Sequence, residues 1–381
     1  MFGTMEDARR EMHEAIDILK SCFLLMQAGT KENVKMHDLV RDVALWIASK
    51  SGQVIFTGTE VDPSVLANDE IMKDKQAIAL WNNVWKNGFL DYRINCPTLE
   101  ILLLYSKGRI KVSDMGPQSW EKIKTLAIKS INSYNEKLSL PESLKSLKNL
   151  RTLCLRGHNL SDISFMERLQ ALEILDLRDS NFEKLPVGIV ELKKLKILDL
   201  YRCRIKERNV ESYKVVEKCL QLEELYLYLI DLEKCSAQDV SFSKLQRYVI
   251  TNTNYWKELD VTIMKQYAKS RSLLIRYFDV APQNFISLPM KDLFMRAEFL
   301  LLENLGGDYK NIIPSMDPQG MNQLTALELQ WCKGIECLVD NTNNTNNNID
   351  FLQPEFVFLK LVYLKLKSLH NLGEVFCDPS S

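Results

Sequence analysis

Residues 150–160 read LRTLCLRGHNL, residues 172–182 read LEILDLRDSNF and residues 195–205 read LKILDLYRCRI. The three lines share one pattern: paired leucines one residue apart, at Leu153/Leu155, Leu175/Leu177 and Leu198/Leu200, recurring after 22 and 23 residues. Two apolar residues separated by one place their side chains on the same face of a short strand. Recurrence at this period predicts that such strands stack side by side in parallel, each repeat burying its apolar face only against its neighbours.

Each line fits L-x-x-L-x-L-x-x-N/C-x-L, the leucine-rich-repeat signature. The same pair can be followed in both directions. Its first member is Ile78, Leu102, Leu126, Leu153, Leu175, Leu198, Leu225, Tyr248, Leu273, Leu300, Leu327 and Leu364, and an apolar partner stands two residues on in every case. Steps run from 22 to 27 residues until the last, which is 37 and contains the Asn-rich run Asp340 to Asp350, expected to be a mobile loop. Leu185-Pro186, Leu288-Pro289 and Ile313-Pro314 are expected where the chain leaves a strand for the convex side, since proline lacks the donor that a strand interior needs. The fold class expected is α/β, a leucine-rich-repeat solenoid shaped as a parallel-strand horseshoe, with about twelve repeats over 76–381.

Residues 5–50 are different. Glu6 to Leu25 has Ile16, Leu19 and Phe23 at helical spacing, 28–33 is a polar turn, and Val34-Lys35-Met36 is a short extended piece. Asp38 looks like the N-cap of a second helix reaching Ser49. Residues 53–75, with Gly58, Pro63 and a charged run from Asp69, read as a linker.

Composition bounds the function. Over 381 residues, 46% apolar and 26% charged, the net charge is −1, which argues against nucleic acid or an anionic membrane as the main partner. Nine scattered cysteines with no C-x-x-C pair fit a reduced, cytoplasmic protein. The N-terminus has no signal-peptide pattern, and no apolar run reaches membrane-span length, so no transmembrane segment is expected. There is no G-x-x-x-x-G-K-[ST], H-E-x-x-H, G-x-S-x-G or zinc-type cluster, so neither a catalytic site nor a metal site is expected. His158 occupies the Asn/Cys position of its repeat and reads as structural.

The stretch VKMHDLVRDVALWIAS, Val34 to Ser49, closely resembles the segment around the MHD motif of plant intracellular immune receptors. These are the coiled-coil nucleotide-binding leucine-rich-repeat (CC-NB-LRR) class of disease-resistance proteins. Cys22-Phe23-Leu24-Leu25 is similar to the helix upstream of that motif, and residues 95–104, NCPTLEILLL, to an early repeat. The resemblance implies that 1–52 form the C-terminal part of the winged-helix subdomain of the NB-ARC region, ahead of the repeats. The coiled coil and P-loop domain are not in this sequence. It implies that Met36, His37 and Asp38 are the nucleotide-sensing motif, which in full-length relatives reads ADP or ATP. Without the Gly-rich loop, its lysine and Mg²⁺, no cofactor is expected in this chain; Asp38 then caps a helix and His37 fills a turn.

In a horseshoe the residues flanking each leucine pair point from the concave face. Between the pairs lie Cys154, Asp176, Asp199, Tyr226, Val249, Glu328 and Lys365; just after them lie Arg156, Arg178, Tyr201, Tyr228, Thr251, Glu303, Gln330 and Lys367. Tyrosine and arginine are enriched at interface hot spots. The candidate protein-binding residues are therefore Arg156, Asp176, Arg178, Asp199, Tyr201, Tyr226, Tyr228, Glu328, Gln330, Lys365 and Lys367. The function expected is a non-catalytic module of plant innate immunity and the hypersensitive response. It would recognise a pathogen effector or a guarded host protein and contact the nucleotide-binding domain of an intact receptor. Its expected place is the cytoplasm, or the plasma membrane through partners. The alternative is a substrate-recruiting subunit of a ubiquitin ligase, although no F-box-like run occurs in the N-terminal helices.

Overall fold

The structure is a computed structural model. It describes residues 4–28, 30–51, 54–57, 68–82, 95–106, 117–130, 138, 140, 147–206, 215–216, 218–228, 242, 244–252, 270–285, 291–306, 308–342 and 357–377. Two compact units divide at Val215/Val216.

The first unit opens with helix α1 (Met5–Ser21). Thr4 Oγ1 accepts from the Asp7 amide at 3.1 Å and Asp7 Oδ2 from the Thr4 amide at 3.2 Å, a reciprocal cap that satisfies two otherwise orphan donors. The helix buries none of its residues. It ends where the Cys22 amide donates to the Ile18 carbonyl and Phe23 turns to φ 58°. Strand β1 (Leu25–Ala28) then pairs antiparallel with β2 (Thr30–Met36), Leu25 opposite Met36. The expected extended piece Val34–Met36 is thus the end of a longer strand, which also takes in most of the expected polar turn. Pairing with β1 supplies the backbone partners that a polar sequence alone does not reveal.

Helix α2 (Asp38–Ser51) follows. Its cap is His37, not Asp38: the Arg41 amide donates to the His37 carbonyl at 2.8 Å, and the Leu39 amide to His37 Nδ1 at 3.2 Å. Asp38 is the first helical residue. Its carboxylate lies at the positive end of the helix dipole and pairs with Arg41 at 2.9 Å.

Strand β3 (Val54–Thr57) lies inside the stretch expected as a linker, and it is already a rung: Ile55 pairs with Ile78 of β4 (Ala77–Asn82). Short helix α3 (Asp69–Met72) intervenes, capped by Asn68. Parallel neighbours continue with β5 (Ile101–Ser106), β6 (Thr125–Ser130) and β7 (Thr152–Arg156). Between β5 and β6 runs α4 (Pro117–Glu121), whose Trp120 is buried. After the short β8 (Asn159–Ser161) come β9 (Ile174–Asp176), β10 (Asn181–Phe182), β11 (Ile197–Leu200) and β12 (Arg204–Ile205). β9 and β11 extend the main sheet, Leu153 facing Leu175 and Leu175 facing Leu198. β8, β10 and β12 form a second, smaller parallel sheet. One 3-10 turn, Val187–Glu191, starts right after Pro186, where the Leu-Pro signal places the exit from a repeat.

The second unit has β13 (Glu224–Tyr228), β14 (Arg247–Thr251), β15 (Arg271–Arg276), β16 (Phe299–Glu303), β17 (Ala326–Gln330) and, after β18 (Cys337–Asp340), β19 (Tyr363–Lys367), all parallel neighbours except β18. β18 pairs instead with β20 (Glu374–Cys377). The leucine spacing predicts Tyr248 opposite Leu273, but Ile250 takes that place. A slip of two residues keeps every side chain on its face. Asn252 holds it: its Nδ2 donates to the Arg276 carbonyl at 2.6 Å and its Oδ1 accepts from the Arg276 amide at 2.7 Å. Leu288-Pro289 and the Asn-rich run beyond Thr342 lie outside the described residues.

The predicted leucine-type pairs form the core. All are buried except Leu364 and Leu366 on β19. Full burial of one such side chain is worth about 1.5–3 kcal/mol, so stacked rungs hold one another.

Candidate protein-binding face

On the face opposite the leucines, unit 1 carries two expected columns. Arg156 and Arg178 follow the leucine pairs of β7 and β9, and each reaches a carboxylate one rung on. Arg156 Nε donates to Asp176 Oδ2 at 2.6 Å, and Arg178 pairs with Asp199. The aspartates turn back to their own strands as well. Asp176 Oδ1 accepts from the Arg178 amide at 3.2 Å, and Asp199 Oδ1 from the Tyr201 amide at 3.0 Å. Arg178 also lies 5.6 Å from the Tyr201 ring centre, within cation–π range. Asp176 and Asp199 are buried, whereas Arg156, Arg178 and Tyr201 remain half-buried. The column therefore offers guanidinium surfaces whose poses are set by carboxylates beneath them, with the Tyr201 phenol beside Arg178. Burial pushes the Asp199 carboxyl up to about 6, with Arg178 pulling the other way. Burial also pushes the Cys154 thiol up to about 12, with Asp176 adding to the effect, so at neutral pH it is no nucleophile.

In unit 2 the expected residues separate. Tyr226 is only 8% exposed, and its hydroxyl donates to Glu224 Oε2 at 3.1 Å. Tyr228 stays half-buried. Glu328 and Gln330 are enclosed, at 0% and 1% exposure. Glu328 accepts from Lys365 Nζ at 3.3 Å, the Tyr363 hydroxyl at 3.2 Å and Gln330 Nε2 at 3.1 Å. Glu328, which Gln330 also binds, thus orients Lys365 rather than facing solvent, with Tyr363 and Lys365 of β19 reaching over it. Lys365 and Lys367 reach the surface, Lys367 with its Nζ 4.9 Å from the Trp331 ring centre.

Met36, His37 and Asp38 are exposed at the start of α2, where His37 and Asp38 serve the helix end as described. A groove of about 430 Å³ in unit 2 is lined by Asp292, Arg296 and Asp317 among others. Its polar groups are committed: Arg296 to the carbonyls of Leu245 and Phe242, Asp317 to the amides of Gln319 and Met321. Among the described residues no cluster of three or more His, Cys, Asp or Glu could hold a metal ion. No helix among them is long and apolar enough to cross a membrane.

The sequence columns began at β7 and so missed the earlier rungs. The same positions on β4, β5 and β6 hold Ala79, Leu103 and Ala127, then Trp81, Tyr105 and Lys129. The signal was present, since these residues flank leucine-type pairs as the later ones do.

No family model matches the sequence. Disease resistance protein At4g27190 of Arabidopsis thaliana is 30% identical over 205 residues, which is 52% of this chain and 20% of the relative. Disease resistance protein RPS5 of the same plant is 26% identical over 51% of this chain and 20% of its own length. Putative disease resistance protein At5g05400 is 28% identical over 59% and 25%. The chain thus spans a fifth to a quarter of the length of these relatives. Among solved structures, the functional domain of InlJ from Listeria monocytogenes aligns with 83% of this chain and 58% of its own, at 15% identity and a TM-score of 0.42. An internalin (inlF) of the same organism aligns over 78% and 88%, at 15% identity and a TM-score of 0.40. The chain is a leucine-rich-repeat protein related in sequence, over about half its length, to plant disease resistance proteins.

Proposed function

We propose that this chain is a non-catalytic recognition module of plant defence, whose repeats bind a pathogen effector or a guarded host protein. The observation that carries it is the Arg156–Asp176–Arg178–Asp199–Tyr201 array. Interfaces draw their energy from a few preorganised aromatic and arginine anchors, and here the arginines are held by buried carboxylates on adjacent strands, with the Tyr201 ring against Arg178. Kinship with disease resistance proteins supplies the biological setting. In this reading Tyr228, Lys365 and Lys367 are further contacts, while Tyr226, Glu328 and Gln330 support their neighbours. Residues 1–52 are the end of a nucleotide-binding region, 53–75 lead into the repeats, and Met36, His37 and Asp38 sense nucleotide only within an intact receptor. The protein works in the cytoplasm, or at the plasma membrane through its partners.

The test is genetic and biochemical together. Disrupting the gene should alter the outcome of infection by at least one pathogen strain, and purified chain should bind a protein from that infection. Arg178→Ala with Tyr201→Ala should weaken that binding about tenfold or more, the scale of a hot-spot loss. Unchanged resistance across a panel of strains, with no protein bound, would sink the proposal.

A further inference from the structure

The solvent face of the early rungs differs in chemistry from the array just described. Trp81 and Tyr105 are register neighbours on β4 and β5, and their rings lie 4.1 Å apart between centres at 32°. Trp81 is 56% exposed. Beside them Ile101 and Leu103 stand 39% and 37% exposed, although both lie on a strand whose other face is fully buried. Large aliphatic side chains left open next to a stacked aromatic pair form a contiguous apolar patch, the kind of surface that marks an interaction site.

The next residue in the aromatic row is Lys129, register neighbour of Tyr105 on one side and of Arg156 on the other. Along this row three cations, Lys129, Arg156 and Arg178, stand over two carboxylates. Asp176 and Asp199 are taken by the two arginines, and Lys129 makes no ion pair among the described residues. At the starts of β5 and β6 the charges pair with each other, Lys124 with Glu100 at 2.9 Å. The patch therefore combines an open apolar floor with one positive charge at its border that no described carboxylate pairs with.

We infer that the face formed by Trp81, Ile101, Leu103, Tyr105 and Lys129 docks a protein segment that carries a carboxylate next to an aliphatic or aromatic side chain. The apolar side chain covers Leu103 and the Trp81–Tyr105 pair, and the carboxylate meets Lys129. Burying the apolar contact around the charge lowers the local dielectric and strengthens the ion pair. A single surplus lysine is too little charge to hold a nucleic-acid backbone, whose binding rests on several neutralised phosphates. The inference rests on the protein-recognition reading above and places its first contact on the early rungs.

The experiment uses the full chain. A random peptide display library is selected on immobilised protein, and the enriched peptides are synthesised with a fluorescent label for polarisation titrations. The expected result is enrichment of Asp or Glu beside Leu, Ile, Phe or Trp. Trp81→Ala and Leu103→Ser should each weaken these peptides about tenfold, as truncation of an interface anchor does. Lys129→Glu should weaken them similarly and restore binding to versions with Lys in place of the acidic residue. Circular dichroism of each variant confirms folding, and the charge-swap rescue cannot arise from misfolding. Selected peptides that ignore Trp81 and Lys129 but respond to Arg178→Ala would overturn this site while leaving protein recognition intact. Failure to select any peptide, with no binding of a defence-related protein to the chain, overturns both. Enrichment of basic peptides, or tighter binding of a labelled oligouridylate competing at Trp81, overturns the partner chemistry.

Discussion

Gly157 follows β7 at φ 75°, and a Cβ built on it would lie 2.2 Å from the Ser130 carbonyl oxygen of the preceding rung. The position recurs. Asp179, Arg202, Tyr277, Asn304, Trp331 and Ser368 all stand two residues beyond the second core leucine-type residue, and all have positive φ. These seven repeats leave their strands through one left-handed residue, at a cost of roughly 1–2 kcal/mol when that residue is not glycine. At Gly157 the neighbouring backbone is too close for any side chain. Gly157→Ala should therefore destabilise the protein by about 2 kcal/mol or more, read by urea unfolding, whereas Arg202→Ala should leave its turn intact.

His158, next in the chain, is buried, and its amide donates to Ser180 Oγ at 3.1 Å. Burial holds the imidazole pKa down to about 4. A base depressed in the folded state contributes stability that is complete above its unfolded pKa of about 6.5 and is lost as pH falls toward 4, at most about 3 kcal/mol. Asp199 acts in the opposite sense: raised to about 6, it favours the folded state below about 4 and loses that contribution as pH rises through 6. Between pH 4 and 6 the two oppose each other, so the informative quantity is a difference. Unfolding free energies of wild type minus His158→Asn, measured from pH 7 to pH 4, should fall steadily; a flat difference would show that the imidazole is not held neutral.

At the scale of elements, the rung is the unit. A strand with two core residues gains little alone and becomes stable between two others, which is why β19, with a neighbour on one side among the described residues, leaves Leu364 exposed. Polar side chains stitch the turns of successive rungs. Ser180 donates to the Leu155 carbonyl at 2.6 Å and Cys203 to that of Leu177 at 2.9 Å. The Arg178–Asp199 pair ties β9 to β11 on the opposite face. Its arginine is one-third exposed and its aspartate nearly enclosed, so the two partners are not equivalent. Arg178→Ala leaves a buried carboxylate without its main partner and should cost about 1–3 kcal/mol. Asp199→Asn in the same background should recover part of that loss. A double-mutant cycle that returns no coupling would mean that the pair is decorative.

At the scale of the molecule, thiol chemistry gives a direct check on packing. Of the nine cysteines, Cys22 is exposed, whereas Cys96, Cys154, Cys203, Cys219 and Cys332 are buried thiols outside any disulfide. Burial raises the pKa of Cys96, Cys203 and Cys332 as well as that of Cys154. A maleimide added at neutral pH should label Cys22 first and reach those five only on unfolding, located by peptide mapping. Early labelling of Cys203 or Cys332 would contradict the stacked core. The exposed apolar residues Phe23, in the turn after α1, and Leu39, Val43 and Ile47 of α2 have no such cover within the described residues.

The ladder is legible in the amino-acid pattern alone. Paired apolar residues at a fixed period report burial on one side of a strand, and that is a local property, so the rungs from Ile78 to Leu327 lie where the leucines place them. The same pattern also marks His158 as structural, since its repeat position demands a buried hydrogen-bonding side chain. Other features depend on groups distant in sequence and emerge only once the chain is folded. Val54–Thr57 is a strand because β4 completes its hydrogen bonds, not because its own pattern is strong. The slip at Ile250 is set by Asn252 and Arg276, 24 residues apart. His37 takes the cap from Asp38 because its ring nitrogen reaches the Leu39 amide. Glu328 and Gln330 sit at positions of the solvent face yet are enclosed, because alternation fixes which way a side chain points and neighbouring rungs fix what lies over it.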